Sequence, residues 1–264
     1  MKDIKTAEKR ESSSSEVRLY APSSWNELNQ DQLRYALDLL VLFHNDFARI
    51  KTYMFVRFCG LKVHGITKDG WKLSYVPDGK EKRKVFYLKH NQIIGFLDNF
   101  NFIESYEDMD VRLDSICGLH AVDKHLHGVA FIDYLNAEKA YQGYLISKDE
   151  KALDGLIRIL YRPGKEKQTK PEEADYLSVF LWYGFVVKRV FRRDFHNLFR
   201  PAKASSEDFD IIESINAQIR ALTEGDVTKE DKVMRMDCWR ALTELDAKAR
   251  DAKEMKAMMA KNKL

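Results

Sequence analysis

The chain has 264 residues, a formal net charge of +3 and 45% hydrophobic residues, among them 15 Phe, 12 Tyr and 4 Trp. That much apolar surface excludes a chain that stays unfolded, and a charge so near zero excludes anion binding driven by overall charge alone. Only 12 Gly and 5 Pro break the chain, which favours a mainly α fold: a bundle-like helical body.

Residues 1–18 are polar, with Ser12, Ser13, Ser14 and Ser15 in a row. They read as a disordered arm and lack the apolar stretch of a signal peptide. Ser24 with Glu27, then Asn29 with Gln32, fit two successive capping boxes. Leu33, Leu37, Leu40, Val41 and Phe47 recur at helical spacing while Leu39 and Leu42 fill the other side, so a deeply buried helix is expected. It continues or restarts through 47–58 and stops at Gly60.

Between 61 and 90 the pattern changes. LKVHGI, WKLSYV and KVFYLK predict three short strands, separated by turn chemistry at Asp69-Gly70 and Asp78-Gly79. This is a small antiparallel β insertion, and its second loop carries Lys80, Lys82, Arg83 and Lys84. Asn91 is placed to cap a short helix over 92–100, and 103–128 looks irregular. Helices are expected over 129–146 and 148–161, the second stopped by Arg162-Pro163-Gly164, and a single aromatic helix over 172–199, ending near Pro201. Ser205 or Ser206 opens the next helix, whose stripe is Phe209, Ile212, Ile215, Ile219 and Leu222 and whose stop is Gly225. Thr228, with Asp231 in the capping-box position, opens the long C-terminal helix.

The expected organisation is an arm at 1–18, a helical domain at 19–162 with the β insertion inside it, a helical hairpin at 172–225 packed on that domain, and the C-terminal helix at 226–264. One continuous domain and two units parted near 163–172 both fit the pattern. The longest apolar run, 176–187, is shorter than the roughly 20 residues a spanning helix needs. Cys59, Cys117 and Cys238 are widely spaced and form no disulfide or finger pattern, so the expected location is cytoplasmic.

Cys117, His120, His125 and His127 are the densest set of ligand-type residues, and a metal-dependent enzyme is one alternative reading. Their spacing matches no standard finger, and a polar loop whose histidines cap or pack is the plainer account. No phosphate loop, nucleophile elbow or zincin motif occurs, so no catalytic residue or cofactor is assigned. Lys188, Arg189, Arg192 and Arg193 fall on one side of a helix, where with the Lys80, Lys82, Arg83, Lys84 loop they would hold nucleic-acid phosphates. A solvated helix face is the plainer reading. Trp182, Tyr183, Phe185, Phe191, Phe195 and Phe199 read as core.

The C-terminal helix is the most telling stretch. Trp239, Leu242 and Leu245 can dock on the body, but beyond them the stripe thins to Ala249, Ala252, Met255, Met258 and Met259. Alanine buries little area, and methionine adapts to irregular partner surfaces. Such a helix suits recognition in a partner's groove, with Trp239, Leu242, Leu245, Met255 and Met259 as expected contacts.

Three stretches, LIRILYRP at 156–163, LWYGFVVKRVFRRDFHNLF at 181–199 and GDVTKEDKVMRMDCWRALTELDAKARDAKEM at 225–255, resemble accessory proteins of phage and prophage tail-gene clusters. The similarity covers roughly the last 110 residues. It implies a cytoplasmic, mostly helical, non-enzymatic tail assembly chaperone-like factor whose partner is a tail component such as the tape-measure protein. A nucleic-acid-associated protein is the alternative reading.

Overall fold

The computed structural model describes residues 17, 19–44, 46–77, 81–199 and 211–261. The serine-rich arm, Lys80, and the expected helix-opening Ser205 and Ser206 with Phe209 lie outside these residues. The fold is mainly α with a small antiparallel β insertion and a long C-terminal helix.

Helix α1, Gln30–Phe43, opens on the second of the two expected capping boxes: the Asn29 side chain accepts from the Gln32 backbone N–H at 2.9 Å, and the Gln32 side chain accepts from the Asn29 N–H at 3.0 Å. The first pair behaves differently. Ser23, not Ser24, donates to Glu27, and a single 3-10 turn, Trp25–Glu27, sets Trp25 into the core with its indole N–H on the Ser105 carbonyl at 2.8 Å. Helix α2, Phe47–Phe58, packs on α1 and is followed by Gly60 at a φ of +61°. Leu42, expected inside, is 67% exposed.

The insertion consists of β1 Lys62–Thr67, β2 Gly70–Tyr75 and β3 Lys84–Lys89, in the order β1-β2-β3. Gly70 is required at its turn, since a Cβ there would lie 2.0 Å from the Leu88 carbonyl oxygen. Helix α3, His90–Leu97, follows β3 directly, two residues earlier than an Asn91 cap would allow. The stretch expected to be irregular holds a second sheet, β4 Ser115–Ile116 and β5 Leu119–Ala121, completed by β6 Tyr161–Pro163. Cys117 and Gly118, both at positive φ, form its two-residue hairpin loop, as a primed turn requires.

Helices α4 Phe131–Ser147 and α5 Glu150–Leu160 pack on each other across a left-handed Lys148. The expected single helix 172–199 is instead α6 Glu173–Leu181, one wide π-helical turn Trp182–Val187, and α7 Lys188–Asp194. A Cβ on Gly184 would sit 2.6 Å from the Tyr141 hydroxyl, so α4 comes close to the backbone at this turn. The widened turn puts Trp182, Tyr183, Val186 and Val187 all inside.

Helix α8, Ile211–Thr223, packs on α4 and on the two helices that follow it, α9 Glu230–Met234 and α10 Cys238–Lys261. The expected hairpin partner of the aromatic helix is thus laid mainly along the C-terminal helix. Its stripe is half-buried, with Ile212 53% exposed. Asp226, rather than Thr228, supplies the cap after Gly225, accepting from the Thr228 N–H at 3.0 Å. One contiguous core runs from Trp25 to Leu245, so residues on both sides of 163–172 share it. Among the described residues no helix is long and apolar enough to cross a membrane.

One buried carboxylate ties three elements together. Asp175, 2% exposed, pairs with Arg34 of α1, accepts from the Glu172 N–H at 2.9 Å, and accepts the Cys117 thiol at 3.2 Å from the β4–β5 turn. Burial, reinforced by this carboxylate, pushes the thiol up to about 12, so it stays a protonated donor. Asp175→Asn leaves Arg34 without its buried counter-charge. Arg34 keeps some solvent contact, so the expected loss is about 2 kcal/mol, seen as a drop in Tm of roughly 4–8 °C by calorimetry.

Candidate partner-binding surface

Helix α10 begins after an interruption of the helical path between Met234 and Cys238. Asp237 accepts from the N–H groups of Trp239 at 2.9 Å and Arg240 at 3.2 Å, and also from that of Gly128 at 2.7 Å. Beside it, the Met236 carbonyl accepts from Phe131 at 2.7 Å and the Val129 carbonyl accepts from Cys238 at 2.8 Å. These bonds fasten the root of α10 to the start of α4. The expected continuous helix from 228 therefore stops at Met234, since Met236 and Asp237 are used for this bridge.

Trp239 then stacks on His127 with ring centroids 4.2 Å apart, meets Phe191 and Phe195 edge-on, and donates its indole N–H to the His125 carbonyl at 2.7 Å. Leu242 and Leu245 are buried. These three expected partner contacts are spent on the protein's own core, because the helix reaches the body before its apolar stripe thins. Asp246 adds a cap for the neighbouring loop, accepting from the Asn197 and Leu198 N–H groups at 2.7 and 3.0 Å. Burial alone would raise its pKa, but these donors outweigh it and hold the carboxyl below its ordinary value of 3.8.

Past Ala249 the helix leaves the body. All twelve residues from Arg250 to Lys261 are exposed. Met255, Met258 and Met259 are 59%, 64% and 58% exposed, so the expected contacts Met255 and Met259 are solvent-facing and Met258 joins them. The anchoring Asp237 escaped sequence reading although its signal was there: an acidic residue just ahead of a helical run is an N-cap signature.

The basic strip does not form one open face. Lys188 pairs with Glu138 at 2.5 Å under the Tyr141 ring, Arg189 donates to the Glu107 and Met109 carbonyls, and Arg193 pairs with its neighbour Asp194. Lys188 and Arg192 line a cleft toward α8 and α10, whereas Arg189 and Arg193 line another beside Asp110 and His125. In the β2–β3 loop Lys82 is exposed and Arg83 donates to the Ser74 carbonyl at 3.2 Å. Lys84 is half-buried.

The four proposed metal ligands are used separately. Cys117 serves Asp175, His120 lies against Gly164, His125 bonds Asp110 at 3.0 Å, and His127 stacks on Trp239. Among the described residues no three His, Cys, Asp or Glu side chains gather as a metal would need. Comparison with protein-family models, curated proteins and solved structures finds no match.

Three variants separate anchor from free surface. Trp239→Ala is expected to cost about 3 kcal/mol in denaturant unfolding, while Met255→Ala with Met259→Ala together change stability by less than about 0.5 kcal/mol. Asp246→Asn should cost about 1 kcal/mol at pH 7, because solvent screens this half-exposed group. Because the folded-state pKa is depressed, that difference is present above the ordinary carboxylate value and shrinks as the pH falls through it, which a series of melts from pH 7 to 3 would follow.

Proposed function

We propose that the protein is a non-enzymatic, protein-binding accessory or assembly factor and that the outer half of α10 is its recognition element. The observation that carries this reading is the solvent exposure of every residue from Arg250 to Lys261, three methionines included, on a helix whose inner half is locked into the core. A free twelve-residue helix is marginal in water because its first turn is costly to nucleate. Here the anchored half supplies that nucleus, so a partner meets a helix already formed.

Geometry and charge narrow the partner. The exposed half is about 18 Å long at 1.5 Å per residue, with small Ala252 inside its stripe. Two such rods laid side by side fall short of the roughly 800 Å² per partner of a stable interface, so a concave apolar groove that wraps the rod is the better fit. Arg250, Lys253, Lys256 and Lys261 against Asp251 and Glu254 give the rod a net charge of +2, four minus two, which suits an acidic rim on that groove. The resemblance of the last 110 or so residues to tail-cluster accessory proteins makes a phage tail component the partner of choice. The nucleic-acid reading has less support, since Lys188, Arg189 and Arg193 are engaged by acceptors on their own chain.

A photo-crosslinking residue placed at Met255 or at Met259 in the native host should capture the same protein, and one at Lys72 on the β insertion should not. A chain stopped after Ala249 should melt like the full chain and lose that partner. Undiminished retention of the partner by the shortened chain would remove the reading.

A further inference from the structure

A cleft of about 630 Å³ opens beside the root of α10, walled by α4, α7, α8 and α10. Its size is that of a small-molecule site. The floor is apolar, with Leu198, Phe199, Ala221 and Leu245 among its lining. A separate small cavity of about 20 Å³ shares Tyr134, Glu138, Lys188, Arg192 and Phe199 with the cleft and adds Phe191.

The polar groups are few and unequal. Glu138 is held by three donors: it accepts from the Tyr183 hydroxyl at 3.0 Å, the Gln142 amide at 2.8 Å and the Lys188 ammonium at 2.5 Å. Its charge is cancelled by Lys188, so the pair neither attracts nor repels an anion strongly. Arg192, one helical turn beyond Lys188, is exposed and has no ion-pair or hydrogen-bond partner among the described residues. On the facing wall Lys248 is held only by the exposed Glu224, at 3.1 Å. An apolar floor thus ends at one uncommitted guanidinium.

We propose that this cleft binds an amphipathic monocarboxylate, its hydrocarbon body along Phe199, Ala221 and Leu245 and its head on Arg192. A guanidinium and a carboxylate match in a two-bond fork. One free cation balances one negative charge, whereas a phosphate dianion would keep a charge uncompensated beside the neutral Glu138–Lys188 pair.

The test is fluorescence titration with cis-parinarate, a polyene fatty acid that brightens in apolar surroundings, followed by displacement with palmitate, hexadecanol and dodecyl phosphate. Saturable uptake of one parinarate per chain is expected, with displacement by palmitate. Arg192→Gln, a surface change, should weaken uptake about tenfold. Ala217→Trp, which fills the cleft from α8, should abolish it while the helical circular dichroism is kept. The chain stopped after Ala249 should bind parinarate normally, which separates this site from the role of the rod. No saturable uptake by the intact chain, or unchanged affinity in Arg192→Gln, overturns the proposal. Displacement by hexadecanol as strong as by palmitate overturns the role of the head group, and preference for dodecyl phosphate overturns the carboxylate assignment.

Discussion

The direction of the C-terminal helix depends on how one carboxylate is shared. Asp237 accepts three backbone N–H groups, two from the first turn of α10 and one from Gly128, ahead of α4. Unpaired N–H groups at a helix start are costly when buried. The same acceptor therefore satisfies the new helix and joins it to another part of the chain. Trp239, two residues later, closes the joint with an indole hydrogen bond to the His125 carbonyl and a stack on His127. With the root held at several points, the rest of a straight helix has little choice of direction.

A second constraint lies where α4 meets the wide turn. Tyr141 reaches the backbone at Gly184, and the wide turn Trp182–Val187 is the local answer to that approach. The turn presents the Tyr183 hydroxyl and the Lys188 ammonium to the same Glu138 carboxylate. Burying one charge without its partner is unfavourable by several kcal/mol in general, so the pairing fixes how α4 and α7 face each other. That choice turns Lys188 and Arg192 toward α8 and Arg189 and Arg193 away from it. Four basic residues that look like one strip in sequence thus serve two sides of a packed helix.

How much of this was legible in the sequence depended on the range of the interaction. Asn29 and Gln32 satisfy each other within one turn, so that cap could be read directly. The strands of the insertion are six residues each and alternate enough to be recognised. Strands β4 and β5, two and three residues long, offer no period to detect, and β5 pairs on its other side with a strand some forty positions later. The π-helical turn answers a tyrosine on another helix, which no local pattern reports. Of the expected contact residues, Met255 and Met259 are exposed where the apolar stripe thins, while Trp239, Leu242 and Leu245 belong to the stretch where the stripe is still rich. The same three-residue spacing marks both kinds of residue, and only the body opposite them decides between core and contact.

The exposed half of α10 holds its shape by composition rather than by packing. Residues 238–261 contain neither Gly nor Pro, and the outer half is built from Ala, Lys, Glu, Met and Arg with a single Asp. Apart from that Asp these are among the strongest helix formers. The first turn, normally the unfavourable step, is already supplied at Cys238 and Trp239 by the core. Alanine at 252, 257 and 260 adds propensity with almost no grease, and methionine at 255, 258 and 259 adds apolar area that can change shape. A sequence selected only to finish a solvated helix has no need of three adjacent exposed methionines, each of which leaves apolar surface in water. The proposed recognition role uses these same features: a stiff stalk, a shallow side built of alanine, and methionine side chains that conform to what they touch.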